Sequence, residues 1–183
     1  LGLPAEAPVL LFFGFVRRYK GLDVLLEALP AVRERLPEAR LVVAGEFYDD
    51  ERPYRERVAH LGLGEAVRFD AHYVPSGEVP LYFSAADLVV QPYRSATQSG
   101  VAQVAFGFGR PVVTTNVGGL AEAVPDGEAG LVVPPEEPAA LARAVVRFFA
   151  APGLRARLDA GARRQGEAGG WDAACAALEA LAA

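Results

Sequence analysis

Six short β-like runs alternate along this chain with segments of helical periodicity, and that alternation is the strongest constraint on its fold. Val9–Phe13 is continuously apolar and ends at Gly14. Such a run suits a strand buried on both faces of a parallel sheet. The later runs lie at 41–45, 67–69, 87–91, 111–114 and 131–133. Between the first two, Leu22, Leu25, Leu26, Leu29, Val32 and Leu36 are spaced as one helix face, which Pro37 ends. Further helices are expected over 52–61, with Pro53 in the first turn, over 77–85, entered at Ser76, and over 100–106, 138–149 and 154–164. Gly169-Gly170 breaks the pattern, and Trp171, Ala174, Leu178 and Leu181 mark a last amphipathic helix. Strands alternating with helices imply an α/β fold, a parallel sheet of about six strands with helices on both faces.

Composition narrows the partners. Of the 183 residues, 52% are hydrophobic and 22% charged, ample for a packed core and unlike a disordered chain. The formal net charge of −5 argues against broad attraction to nucleic acid, though a local basic spot can still bind a small anion. No apolar run approaches the ~20 residues that span a bilayer, and no signal peptide is visible, so a cytoplasmic setting is the default expectation. Cys175 has no cysteine to pair with and sits in an apolar helical pattern, as a core filler does. No Cys/His cluster with metal spacing exists, His60 and His72 having no such partner nearby in sequence, so no metal site is expected. The chain has no methionine, and the expectation is a piece of a longer protein. Lys20 is its only lysine and Asn116 its only asparagine, a bias that would suit a thermophile and makes the lysine a pointer to a site wanting an ammonium.

In open parallel sheets, ligands bind outside the carboxyl ends of the strands. The segments to inspect are therefore 14–21, 45–48, 70–76, 91–100 and 114–119. In the first, Gly14-Phe15-Val16-Arg17-Arg18-Tyr19-Lys20-Gly21, cations gather between glycines at the start of a helix, which suits a diphosphate. It lacks the Gly-Lys-Ser/Thr ending of a Walker loop. In the fourth, Ser99 and Gly100 open a helix of small residues and offer backbone N–H groups to an oxyanion. The alternatives are a solvated basic loop and a plain helix cap. In the fifth, the pair Gly118-Gly119 allows close backbone approach, and Glu122 is a candidate to bond inside the crevice. The turn at 126–130 reads as structural.

The order of five segments resembles the C-terminal domain of retaining glycosyltransferases of the GT-B fold, family 4 (group 1). They are 13–21; Ser84-Ala85-Ala86-Asp87-Leu88-Val89-Val90-Gln91-Pro92; Phe108-Gly109-Arg110-Pro111-Val112-Val113; Val117-Gly118-Gly119-Leu120-Ala121-Glu122; and 126–134. The resemblance implies a Rossmann-like sheet forming the C-terminal half of a GT-B fold. It makes 1–183 a single nucleotide-sugar-binding domain, with 152–183 its C-terminal helices and an N-terminal acceptor domain lying outside the chain. It implies that Arg17 and Lys20 hold the donor diphosphate and act catalytically on the leaving group. The N–H groups of Ser99, Gly100 and Val101 would meet the distal phosphate, with Gly14 at the turn beside it. Backbone around Tyr73 and Val74 would meet the nucleobase.

The sequence also departs from the family pattern. Many members carry two glutamates eight positions apart; counting back from Gly109-Arg110-Pro111, those positions hold Ala96 and Val104. Gln103 is then the candidate for the ribose hydroxyls, and Thr97 or Gln98 for the donor sugar. The segment after the second strand is also altered, to Gly45-Glu46-Phe47-Tyr48. The expected function is transfer of a sugar from a nucleoside-diphosphate sugar to a hydroxyl acceptor, with retention, without a metal and without a cofactor. The alternatives are a non-catalytic nucleotide-sugar-binding module and a nucleotide-sugar epimerase or hydrolase of the same fold. The isolated domain is expected to be nearly inactive.

Overall fold

A computed structural model describes residues 1–169. Six strands form one parallel sheet: β1 (Val9–Phe13), β2 (Arg40–Ala44), β3 (Val67–Asp70), β4 (Leu88–Gln91), β5 (Val112–Thr115) and β6 (Gly130–Val133). Their spatial order is β3-β2-β1-β4-β5-β6, with every pairing parallel. This is the order of a Rossmann-like doubly wound sheet. The chain reverses direction across the sheet between β1 and β4, which pair through Leu10↔Leu88 and Leu11↔Val89. That switch point opens a crevice at the carboxyl ends of the strands.

β1 is apolar throughout because both of its faces are covered, whereas the edge strand β3 keeps Arg68 exposed. Successive side chains point to opposite faces. Leu10 and Phe12 join a core with α1 (Leu22–Arg35), α2 (Arg52–His60) and α6 (Pro138–Ala150). Val9 and Leu11 join another with α3 (Val79–Ala85), α4 (Gly100–Gly107) and α7 (Pro152–Ala168). Among the described residues, no helix is long and apolar enough to cross a membrane.

The helices follow the expected pattern with instructive differences. α1 contains Pro30, which cannot donate to the carbonyl four residues back, yet the helix continues because Leu25, Leu26, Leu29 and Val32 are fully buried. It stops at Arg35 rather than Leu36, since the residue before Pro37 is disfavoured in helical conformation. α3 begins at Val79, not Gly77: Glu78 N–H first closes a turn onto Pro75 O, and Pro80 then sits in the opening helical turn. Two further elements are a single 3-10 turn, Arg18–Lys20, and the short α5 (Leu120–Ala123). α7 ends at Ala168 with Gly169 as its cap. The expected helix from Trp171, with Cys175 in it, lies outside the described residues.

Candidate functional site

The floor of the crevice is a pair of glycines. Gly14 follows β1 at φ 92° and its N–H donates to Ala44 O. Gly45 follows β2, and a Cβ there would stand 2.2 Å from Gly14 O, so no larger residue fits. Beyond them the two loops stay zipped. Val16 N–H donates to Glu46 O at 2.8 Å, and Tyr48 N–H donates to Val16 O at 3.1 Å. This short ladder carries Arg17 and Tyr48 side by side. The Arg17 guanidinium lies 4.1 Å from the centroid of the Tyr48 ring, and that ring meets Phe15 edge-on at 5.0 Å.

The chain then tightens into the 3-10 turn and leaves it at Gly21, φ 68°, where a Cβ would collide with Pro92 O at 2.0 Å. The turn directs Lys20 inward. The residue is only 9% exposed, and its Nζ sits 5.5 Å from the centroid of the Tyr93 ring. Burial lowers its pKa from 10.5 to about 8, and the positive charge of Arg17 adds to the effect. Neither cation forms an ion pair with a carboxylate among the described residues. A buried, unpaired ammonium beside a second cation is costly, and an anionic ligand would relieve that cost.

The third wall is the start of α4. Ser99 is its N-cap, with Oγ 3.4 Å from the Val101 N–H. Gly100 is exposed, and a Cβ on it would meet nothing within 4 Å, so the backbone at the helix start is open to an approaching ligand. A Cβ on Gly14 would stand 3.3 Å from Lys20 Nζ and 3.9 Å from Val101 Cγ2. Gly14, Lys20 and the start of α4 therefore meet at one place. On its other side Gly14 lines a slot of about 140 Å³ with Phe13, Phe15, Gly45, Glu46, Tyr73 and Val74. That is well below the ~300 Å³ at which pockets for whole drug-sized ligands begin. The slot suits one part of a ligand whose charged part reaches Lys20. A larger opening, about 580 Å³, lies between Arg17, Tyr48 and Arg94.

Gln98 is exposed beside Gly119. Gln103 and its neighbour Val104 are both exposed on α4, and the Gln103 Oε1 lies beside Gly169 at the end of α7. Gly118 and Gly119 do allow a close approach, and what approaches is this chain's own backbone. A Cβ on Gly118 would lie 1.7 Å from Ala96 O, and Gly119 N–H donates to Thr97 O at 3.0 Å. The pair thus supports the loop leading to Ser99. Glu122 is exposed on α5. No cluster of three or more metal-ligating side chains is present among the described residues.

Sequence reasoning missed Arg94. Its guanidinium donates to both carboxylate oxygens of Asp23 at 2.8 Å, to Arg18 O at 3.0 Å and to Glu136 at 3.0 Å. Its backbone N–H donates to Tyr19 O at 2.7 Å. Burial pushes the Asp23 carboxyl up, but Arg94 and the amides of α1 outweigh it and hold it below its ordinary value. Arg94 thereby ties the β4 loop to the turn that aims Lys20. The pairing joins residues 71 apart in sequence, so no local pattern announces it.

Comparison with known proteins bears on the family and the fold. The family model described as "Glycosyl transferases group 1" matches residues 7–151. A D-inositol 3-phosphate glycosyltransferase of Streptomyces griseus is 38% identical over 97% of this chain. A protein of the same name from Xylanimonas cellulosilytica is 39% identical over 97% of the chain. The chain spans only 39% and 42% of these two relatives. Among solved structures, sucrose-phosphate synthase from Thermosynechococcus elongatus superposes with a TM-score of 0.79 at 30% identity, over 98% of this chain and 45% of that one. The lipopolysaccharide glycosyltransferase WaaG gives 0.81 at 27% identity, over 91% of this chain and 44% of that one. Anabaena Alr3699/HepE in complex with UDP-glucose shares the fold, with a TM-score of 0.79 at 22% identity, over 88% and 44%. The chain belongs to the group 1 glycosyltransferases.

Proposed function

We propose that this chain is the donor-binding domain of its glycosyltransferase, and that the crevice takes a nucleoside-diphosphate sugar. The observation that carries the reading is the meeting of Lys20 Nζ, Gly14 and Val101 at one point, with no carboxylate paired to the ammonium among the described residues. The nucleobase enters the slot at Tyr73 and Val74. The diphosphate runs past Gly14 to Lys20, Arg17 and the amides of Gly100 and Val101. The donor sugar then lies toward Gln98.

The chemistry is electrostatic. Cleavage of the bond between sugar and diphosphate leaves negative charge on the distal phosphate. Preorganised cations and N–H groups aimed there stabilise that charge most as it develops. In this reading transfer proceeds with retention of configuration and needs neither a metal nor a cofactor, since Arg17 and Lys20 supply the positive charge. The acceptor hydroxyl is held by a second domain across the cleft, in keeping with the share of the relatives that this chain spans. The names of the relatives make D-inositol 3-phosphate the first acceptor to test.

The test is turnover by the full-length protein against a panel of nucleoside-diphosphate sugars, with and without that acceptor. The expected result is acceptor-dependent release of nucleoside diphosphate, reduced by about 10²–10³-fold in Lys20→Ala, as for loss of a single oxyanion donor. A rate within a few-fold of wild type removes Lys20 from the mechanism. Donor hydrolysis or epimerisation independent of any acceptor overturns the transferase reading. A second reading, binding without turnover, is favoured by the apolar Ala96 and Val104 where many family members have glutamates. Tight donor binding with no turnover would select it.

A further inference from the structure

Gln91 ends β4 with its side chain sealed from solvent, 1% exposed. Its Nε2 donates to Ser99 Oγ at 2.9 Å, while its Oε1 has no partner among the described residues. Thr114, its register partner on β5, also keeps a buried hydroxyl without a partner among the described residues. Unpaired polar atoms between two central strands cost stability, and an apolar side chain at position 91 would avoid that cost. What the amide supplies, and a leucine would not, is the hydrogen bond to Ser99.

That bond has a direction. A serine hydroxyl carries one proton and two lone pairs. The amide N–H of Gln91 occupies one lone pair, and the Val101 N–H, 3.4 Å away, faces the same oxygen. Neither group can accept a proton. The Tyr93 hydroxyl, also at 3.4 Å, is the one of these neighbours that can accept the Ser99 proton, and it stands beyond the roughly 2.5–3.0 Å of a strong O–H···O bond. A phosphate oxygen placed closer than Tyr93 at the start of α4 would take that proton in its place.

We propose that Gln91 is a positioning residue that keeps the Ser99 hydroxyl a hydrogen-bond donor toward the distal phosphate of the bound nucleotide. The inference rests on the donor-binding reading above. A hydroxyl donating to a phosphate oxygen makes a charge-assisted bond, stronger than a neutral one. A glutamate at position 91 would accept the serine proton instead and place a negative charge behind the phosphate.

The experiment measures dissociation constants by calorimetry on the full-length protein. The probes are the tightest-binding of ADP, GDP, UDP and TDP, together with the matching monophosphate. The proteins are wild type, Ser99→Ala, Gln91→Leu and the double variant, each with its melting temperature. Both single variants are expected to weaken the diphosphate by about tenfold, the scale of one hydrogen bond to a charged group, and to leave the monophosphate unchanged. The double variant is expected to be no weaker than Ser99→Ala alone. Losses that multiply in the double variant, equal losses for the monophosphate, or Gln91→Leu within twofold of wild type overturn the role of Gln91 alone. Wild-type protein that binds no nucleoside diphosphate overturns the donor-binding reading, and this inference with it.

Discussion

The ammonium of Lys20 stands 3.3 Å from the point where a side chain on Gly14 would begin. Gly14 also sits at φ 92°, a conformation that costs a residue with a Cβ about 1–3 kcal/mol. Gly14→Ala is therefore expected to act twice. It lowers stability by that order, read by urea unfolding, and it displaces the ammonium, weakening nucleoside diphosphate by tenfold or more. A variant with wild-type affinity would show that the ligand does not depend on this approach.

Lys20 gives the site a pH signature. Burial first, and Arg17 second, bring its pKa to about 8 in the free protein. A bound diphosphate favours the protonated form and raises that value, so binding takes up a proton above pH 8. Affinity is expected to fall as the pH rises beyond about 8. Tyr93 does not interfere, because burial pushes its phenol up and out of this window. In Lys20→Arg, whose guanidinium stays charged, the fall should vanish. Calorimetry from pH 6.5 to about 9.5 reads both; a wild-type profile with no decline refutes the assignment.

The sheet was legible because its signal is local. Continuous apolar runs such as Val9–Phe13 report burial on both faces, and the order of strands and helices then leaves few topologies. Gly14, Lys20 and Ser99 were legible for a similar reason: each lies directly after a strand or at a helix start. The tertiary pairings were not. Arg94 and Asp23 are far apart in sequence, and neither residue type demands the other. Gln103 shows the finer limit. It is one residue from Val104, but a step of one on a helix turns a side chain by about 100°, enough to place its oxygen beside Gly169. The roles of Gly118 and Gly119 were half visible. Close approach was readable from the residue type, whereas the identity of the approaching backbone was not.

The Arg17–Tyr48 stack yields a separable prediction. The guanidinium lies 4.1 Å from the ring centroid, close enough for a cation–π contact of about 0.5–2 kcal/mol. Tyr48→Ala is expected to free Arg17 and weaken diphosphate binding by a few-fold to about thirtyfold. Tyr48→Phe keeps the ring and should match wild type. Because Tyr48 is 57% exposed, neither change should move the melting temperature much. Equal losses in both variants would transfer the role from the ring to the hydroxyl.

Arg94 is expected to act on the site through the backbone. Its two parallel bonds to Asp23 and its bond to Arg18 O anchor the turn that aims Lys20. Lysine cannot reproduce that fork. Arg94→Lys should therefore cost about 1–3 kcal/mol of stability. It should also speed hydrogen exchange at the amides of Lys20 and Gly21, which close the turn onto Arg17 O and Arg18 O. Asp23, held below its ordinary value of 3.8, contributes stability that is present above that pH and lost as the pH falls through its lower folded-state value. That acid loss should shrink in Arg94→Lys. Were exchange at Lys20 and Gly21 unchanged while global stability fell, Arg94 would be a scaffold residue with no hold on the ammonium.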